Sequence, residues 1–371
     1  MVNFNITTNC VFYIGYFIFG LIDKVIMKKI LKNINENDYV LVLSVLILIM
    51  FISEIFISTI FLIFNCICAC CKKKNEETEQ KKNSINNRNI YLIPIENTDD
   101  NKCFNWKIPF ISIFDICSFI PLIFNDKNLL NLKLDHFLNA ILLISTTLFT
   151  IFYLKYPIYK HHKITIIIIV IGYFIIDRFE IYDLFTKYFS YLVGILILLQ
   201  IPYSCKEIFE KELIEIAFFK IIILLLYEGI FGCLLILLFI IFINLSIIKE
   251  FFINLINKDI LFIIIFIISC GLFNIFRLKI NQIYGPIHKY IGNIFIFLFV
   301  WIVDLIYFKE DEKNIIIIID IVCYFSIIYC GMIFTEIFNF NCCCNCCSDN
   351  QNQQADRANE KIRKNIFYEE E

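Results

Sequence analysis

Apolar residues run along this chain in long blocks separated by polar connections, and most blocks have the length of a bilayer-crossing helix. Such a helix takes about 20 mostly apolar residues. The stretches "IIIFIISCGLFNIF" and "NIFIFLFVWIVDLIYF" are typical. The pattern predicts ten helical spans, at roughly 10–31, 39–66, 108–125, 136–155, 163–177, 187–206, 217–244, 259–279, 286–308 and 314–339. These continuous runs exceed the roughly 10-residue alternating strands of a membrane β-barrel. The expected fold class is therefore all-α, a polytopic membrane protein.

An even number of spans places both termini on one side, and Lys/Arg bias decides which. With the termini in the cytosol, 21 of the 33 Lys and Arg residues fall on that side. The N-terminal "MVNFNITTNC" has no basic region of the kind that opens a cleavable signal, so the first helix is expected to serve as its own insertion signal. The polar connection 72–107, "KKKNEETEQKKNSINNRN" and onward, is expected to be a flexible cytosolic loop. The tail "SDNQNQQADRANEKIRKN" is expected to be disordered, with room for a short helix from Ala355.

Composition agrees with the pattern. The 371 residues are 59% hydrophobic, with 41 Phe, and the mean hydropathy is +0.74, far above a soluble domain. Single Ile and Phe positions therefore carry little information, and polar residues inside the apolar runs carry most of it. The net charge of −2 gives no reason to expect a nucleic-acid partner.

A charged side chain at the centre of a spanning helix costs about 2.5–3.5 kcal/mol on insertion scales, so such residues face a cavity or another polar group. The acids inside the runs are Asp23, Glu54, Asp115, Glu228, Asp304, Asp320 and Glu336, and Asn139, Gln200 and Asn274 add neutral polarity. Helix-end placement or interhelical bonding accounts for some of them. Glu54 and Glu228 lie deepest. Glu228 and Gly232 are one turn apart, so the acid is expected where another backbone approaches. Ser112, Asp115 and Ser118 make one stripe, and His136, Asn139, Thr146 and Thr150 line one face of the fourth helix. These are the features of a solvated pathway, and equally of a polar bundle core. Pro121, Pro202 and Gly285-Pro286 mark helix breaks, which in transporters line binding cavities.

Ten spans divide into five plus five, and an odd number per half inverts one half relative to the other. Glu54 lies on the second helix of the first half and Glu228 on the second helix of the second. The expected division is a first half at 10–177 with the loop 67–107, a second half at 178–340, and a Cys-rich tail at 341–371. Matching landmarks of this kind point to inverted repeats with a site near the midplane.

Several motifs carry a resemblance. They are "LLQIPYSCKEIFEKELIEIAFFKIIILLLYEGIFG" and "DHFLNAILLISTTLFTIFYLKYPIYKHHKITIIIIVIGYFIID". The chain resembles the drug/metabolite transporter superfamily, in particular the F-type branch of solute carrier family 35, across about residues 15–337. The resemblance matches Gln200, the "FEKEL" at 209–213 and the run from Tyr227 to Gly232 to that branch's sixth- and seventh-helix motifs. It matches Glu54, Asp115 and Trp301 to its second-helix acid, third-helix acid and ninth-helix Trp. It implies a solute transporter of the endomembranes (Golgi, lysosome or vacuole). The chain departs from the pattern at Asn139, where the branch has Arg, and at Asn293 and Ile296, where it has Asp and Arg. A desolvated anion needs cationic partners. The basic residues near the spans, Lys24, Lys28 and Lys289, are expected near helix ends, so a neutral or cationic solute, exchanged against protons at Glu228 or Glu54, is expected.

Of 17 Cys, Cys66, Cys68, Cys70 and Cys71 form one cluster and Cys342, Cys343, Cys344, Cys346 and Cys347 another, each where a helix leaves the membrane. Juxtamembrane Cys beside "KKK" reads as S-palmitoylation, and a soft-metal site shared by both clusters is the alternative. The pair His161-His162 reads as a solvated turn. No HExxH, Walker loop, GxSxG or DHHC motif is present, so an enzyme is not expected, and neither a cofactor nor a catalytic metal. The expected partners are the lipid bilayer and a small-molecule solute, with a homodimer as one arrangement. The expected function is alternating-access transport of a small polar solute through Glu54, Asp115, His136, Asn139, Gln200, Glu228 and Asn274. A non-transporting membrane scaffold or regulator is the alternative.

Overall fold

Each of the ten apolar runs forms one α-helix. A computed structural model describes residues 2–32, 39–83, 106–123, 135–155, 158, 160–178, 181–182, 190–215, 219–243, 245–307 and 314–334. Among these residues the helices are α1 (Val2–Lys32), α2 (Tyr39–Asn83), α3 (Lys107–Ile123), α4 (Asp135–Phe152), α5 (Lys160–Ile176), α6 (Ser190–Glu215), α7 (Ile221–Ile243), α8 (Leu245–Tyr284), α9 (Pro286–Tyr307) and α10 (Asn314–Phe334). No strand occurs among the described residues. Five helices are long and apolar enough to cross a membrane: the Ser44–Cys68 part of α2, most of α7, the Ile260–Tyr284 part of α8, and most of α9 and α10. Shorter apolar helices are His136–Phe152 and His161–Ile176.

Helices α1, α2, α6 and α8 outrun their predicted bounds, α1 by beginning at Val2. The expected loop at 72–107 begins as helix, because α2 continues to Asn83. The sequence "KKKNEETEQKKN" has no Gly or Pro and is rich in Lys, Glu and Gln, all good helix formers, so the helix propagates past its apolar part. For the same reason α6 continues through "CKEIFEKELIE" to Glu215, and α8 starts at Leu245 because 245–258 also lacks Gly and Pro. His161 and His162 lie in the first turn of α5, not in a solvated turn; His162 is buried, 4.4 Å from the Phe334 ring. Helices α8 and α9 meet at Gly285, whose φ of +100° belongs to a conformation other residues rarely adopt. Its N–H bonds the Asn281 carbonyl, and Pro286 then opens α9 with its φ already set for a helix.

The polarity of the bundle is reversed relative to a water-soluble protein. Ile167, Ile171, Leu234, Leu238, Val322 and Phe325 stand exposed on helix faces, while Glu54, Glu207, Glu210, Glu228, Arg277 and Lys289 are buried. Exposed apolar faces around a polar centre are what lipid as solvent selects, and the chain is a membrane protein on this ground. The main packing pairs are α2 with α7, α1 with α8, α3 with α6, and α5 with α10. Next, α2 meets α8, α7 meets α3, α4 packs on α6, and α1 on α9. Two side-chain layers flank the centre. Leu143, Ile166, Ile169, Ile294 and Ile327 fill the α4, α5, α9 and α10 side. Ile111, Leu213, Leu224, Leu225 and Leu278 fill the α3, α6, α7 and α8 side.

Candidate functional site

The close approach of α2 and α7 builds the centre. A Cβ at Gly229 would lie 2.8 Å from Ile55 Cγ1 and 2.9 Å from the Phe51 carbonyl oxygen, and one at Gly232 would run into the Phe51 ring. With two glycines facing α2, the backbones come near enough to set Glu54 beside Glu228. Asp115 of α3 joins them: one oxygen from each of the three carboxylates lies within 4.8 Å of the others. The α3 register is held by Ser112, whose hydroxyl donates to the Glu228 carbonyl at 2.9 Å.

Cations near the ends of the predicted spans fill the same centre. Lys206 Nζ lies 2.8 Å from Asp115 Oδ2 and 2.5 Å from Glu228 Oε1, with Glu210 Oε1 at 3.7 Å. Arg277, 1% exposed, is held on every side. Its Nη1 donates to Glu207 Oε1 (2.7 Å) and Glu210 Oε2 (3.1 Å), its Nη2 to Glu210 Oε1 (2.8 Å), and its Nε to Asn274 Oδ1 (3.1 Å). The Asn274 amide donates in turn to Glu54 Oε1 at 2.8 Å. Lys289 ion-pairs with Glu207 and donates to the Tyr203 hydroxyl at 3.0 Å. Lys289 lies in the first turn of α9 as expected, but Lys206 and Arg277 stand inside α6 and α8 and bring further cations to the centre. Lys206, Arg277 and Lys289, near the ends of the spans predicted at 187–206, 259–279 and 286–308, are all buried inside the bundle. Helix α6 supplies most of the surprise. Tyr203, Lys206, Glu207, Glu210 and Lys211 recur at helical spacing, and that spacing in "YSCKEIFEKELIE" is the signal that would have revealed an inward polar face.

The predicted site residues separate into two groups. Glu54, Asp115, Glu228 and Asn274 come together around Lys206 and Arg277. His136 and Asn139 belong to a second cluster between α4, α5, α9 and α10. His136 Nδ1 contacts Asp177 Oδ1 at 2.8 Å and its Nε2 the Tyr324 hydroxyl at 2.6 Å. Asp177 Oδ2 accepts the Phe137 N–H at 2.6 Å, so one carboxylate caps the start of α4 and fixes the imidazole. Asn139 donates to the Tyr173 hydroxyl at 2.9 Å and accepts from Asn293, whose own side-chain oxygen accepts a hydrogen bond from the Tyr16 hydroxyl. Gln200 is buried between the clusters, and its backbone carbonyl accepts the Ser204 hydroxyl at 3.2 Å. Ser204 also meets Ser145 and Thr146 of α4. Cys66 and Cys68 are exposed free thiols on α2. The side chains of Cys70 and Cys71, and all of Cys342, Cys343, Cys344, Cys346 and Cys347, lie outside the described residues.

Polar contacts tie the helices together on either side of this centre. At the end where α4 starts, the His136–Asp177–Tyr324 cluster and the Arg178–Asp320 ion pair (3.0 Å) tie α5 to α10. At the opposite end, Lys107 of α3 ion-pairs with Glu212 of α6, and the Tyr153 hydroxyl donates to Glu212 Oε2 at 2.9 Å. Among the described residues the carboxylates converge on buried cations. The His136 contacts are the stronger because they are buried. Tyr324→Phe is expected to cost about 1–2 kcal/mol by removing the hydroxyl from His136. Asp177→Ala, which loses the ring contact and the α4 cap together, is expected to cost more. Melting of the purified variants checks this order, and equal melting temperatures for all three proteins would contradict it. No protein-family model matches the chain, and a comparison with curated proteins finds no match.

Proposed function

We propose that this chain is a carrier: it crosses the membrane ten times as two inverted five-helix repeats and moves a small polar solute by alternating access. The observation that carries the reading is the meeting of Glu54 and Glu228. They come from the second helix of each half and stand together with Asp115 in the buried centre. The packing supports the repeat. Exchanging each helix with the one five places along turns the α1–α8 contact into α6–α3, α2–α8 into α7–α3, and α4–α6 into α9–α1, and leaves α2–α7 and α5–α10 unchanged. The resemblance to the F-type branch of solute carrier family 35 points the same way. The described state corresponds to an occluded carrier, with the Lys107–Glu212 end facing the cytosol and the His136 end facing away from it. In an alternating cycle one closure opens at a time while the central charges stay shielded. The centre holds the acids Glu54, Asp115, Glu207, Glu210 and Glu228 against the cations Lys206, Arg277 and Lys289. That surplus of carboxylates supports coupling to protons or another cation.

The test is uptake by the full chain in liposomes against a panel of metabolites at two pH values. Glu228→Gln is expected to lower uptake about tenfold, the loss expected for about 1.4 kcal/mol, and to flatten its pH dependence. A variant with unchanged uptake and unchanged pH dependence would defeat the reading. The alternative, a non-transporting scaffold, draws its support from the ion pairing of the central charges. It predicts no uptake by either protein.

A further inference from the structure

We propose that Glu54, Asp115 and Glu228 form a binding site for an ammonium-type cation, a primary amine, and that Lys206 is its built-in competitor. The inference rests on the carrier reading and names the chemical class of ligand for its central site.

The site already holds an ammonium group. Lys206 Nζ ion-pairs with Asp115 at 2.8 Å and with Glu228 at 2.5 Å. Hard metal ions need more oxygens, six to eight for calcium, held closer than these. The ring of Tyr203 lies 5.8 Å from the same nitrogen, within range of a cation–π contact.

The acceptors exceed what Lys206 uses. Glu54 Oε2 and both Glu228 carboxylate oxygens accept no hydrogen bond from the described residues, Lys206 meeting Glu228 Oε1 as an ion pair, and both residues are 0% exposed. Each unmatched buried acceptor costs about 1–3 kcal/mol. A second R–NH3+ group brings three donors into a space where three carboxylates converge within 4.8 Å. Asn274 already engages Glu54 Oε1, so the remaining oxygen is the one left for a ligand.

Lys206 also has somewhere to go. Glu210, one turn along the same helix, lies 3.7 Å from its Nζ. An incoming amine takes Asp115 and Glu228, Lys206 closes onto Glu210, and Arg277 keeps Glu207 neutralised. Asp115, Glu228 and Glu210 each keep a cation in either state. When the ligand departs, Lys206 returns, which lets the empty site change access without two bare carboxylates in low dielectric.

The experiment is binding of n-propylammonium chloride to the purified full chain, by calorimetry and by shift of melting temperature. Sodium chloride, calcium chloride and tetramethylammonium chloride are matched for ionic strength. The wild type is expected to bind n-propylammonium and not tetramethylammonium, which has no N–H donor. Lys206→Gln is expected to bind at least about tenfold more tightly, because the competitor is gone. Glu54→Gln is expected to lose about tenfold while still folding, since its side-chain oxygen still accepts from Asn274. If tetramethylammonium, sodium or calcium binds as well as the amine, or Lys206→Gln binds more weakly than the wild type, the proposal is overturned. Should Lys206→Gln not fold, the wild type and Glu54→Gln decide, and undiminished binding by Glu54→Gln overturns it. Liposomes carrying an n-propylammonium gradient separate the two readings. Binding without any transport defeats the carrier and leaves the site. Transport of another solute without amine binding defeats the site alone.

Discussion

Arg277→Met is expected to destabilise the protein by about 3–5 kcal/mol, the cost of removing one partner from a buried charge network. The guanidinium is the shared partner of Glu207 and Glu210, forked onto Glu210 through two nitrogens and bonded to Asn274 through the third. Methionine fills the volume and leaves both carboxylates facing each other without that cation, with Lys206 and Lys289 still engaged on their far sides. Arg277→Lys keeps the charge and loses the fork, so its loss should be smaller. Pairing Arg277→Met with Glu210→Gln removes a stranded charge and should recover part of the loss, a coupling that a double-mutant cycle measures. The readout is the melting temperature and the monodisperse fraction of protein purified in detergent. An Arg277→Met protein that melts with the wild type would show that the network is not buried as described.

A valine at Gly229 should damage the centre from the other direction. Its Cβ would stand 2.9 Å from the Phe51 carbonyl oxygen and 2.8 Å from Ile55. A side chain can rotate away from such a contact, but a helix carbonyl cannot, so α2 and α7 must separate. Overpacking of this kind costs about 1–3 kcal/mol. The separation also draws Glu54 away from Glu228, so amine binding and uptake should fall further than stability does. Gly292 is the control. There the nearest atom to an added Cβ is Tyr16 Cε1 at 3.3 Å, the edge of a ring that can yield, and Gly292→Ala should leave melting and binding close to wild type. Equal behaviour of the two variants would mean that the α2–α7 approach does not set the carboxylate spacing.

Much of the architecture was legible because lipid imposes it. A bilayer leaves a backbone no partner but itself, so each apolar run of sufficient length becomes a helix. The reach of those helices was less legible. The polar segments 72–83 and 207–215 continue as helix because nothing in them stops one. Among site residues, Glu54, Asp115, Glu228 and Asn274 were visible as polar positions in apolar surroundings, and they do meet. His136 and Asn139 were equally visible and serve a different cluster, since a helix face records which side is polar and not which neighbour it will meet. Lys206 and Arg277 were hidden by their context. Charges near the end of an apolar run read as the place where the chain leaves the membrane, although neighbouring helices extend past them.

The chain of residues alone determined the ten helices found among the described residues, their apolar exteriors, and the presence of one deep acid on α2 and one on α7. Only tertiary structure decided which cations answer those acids. Ion pairing depends on distances between helices far apart in sequence, here α3, α6, α7 and α8. Those distances follow from how closely Gly229 and Gly232 let α7 approach α2, which no single helix's pattern contains.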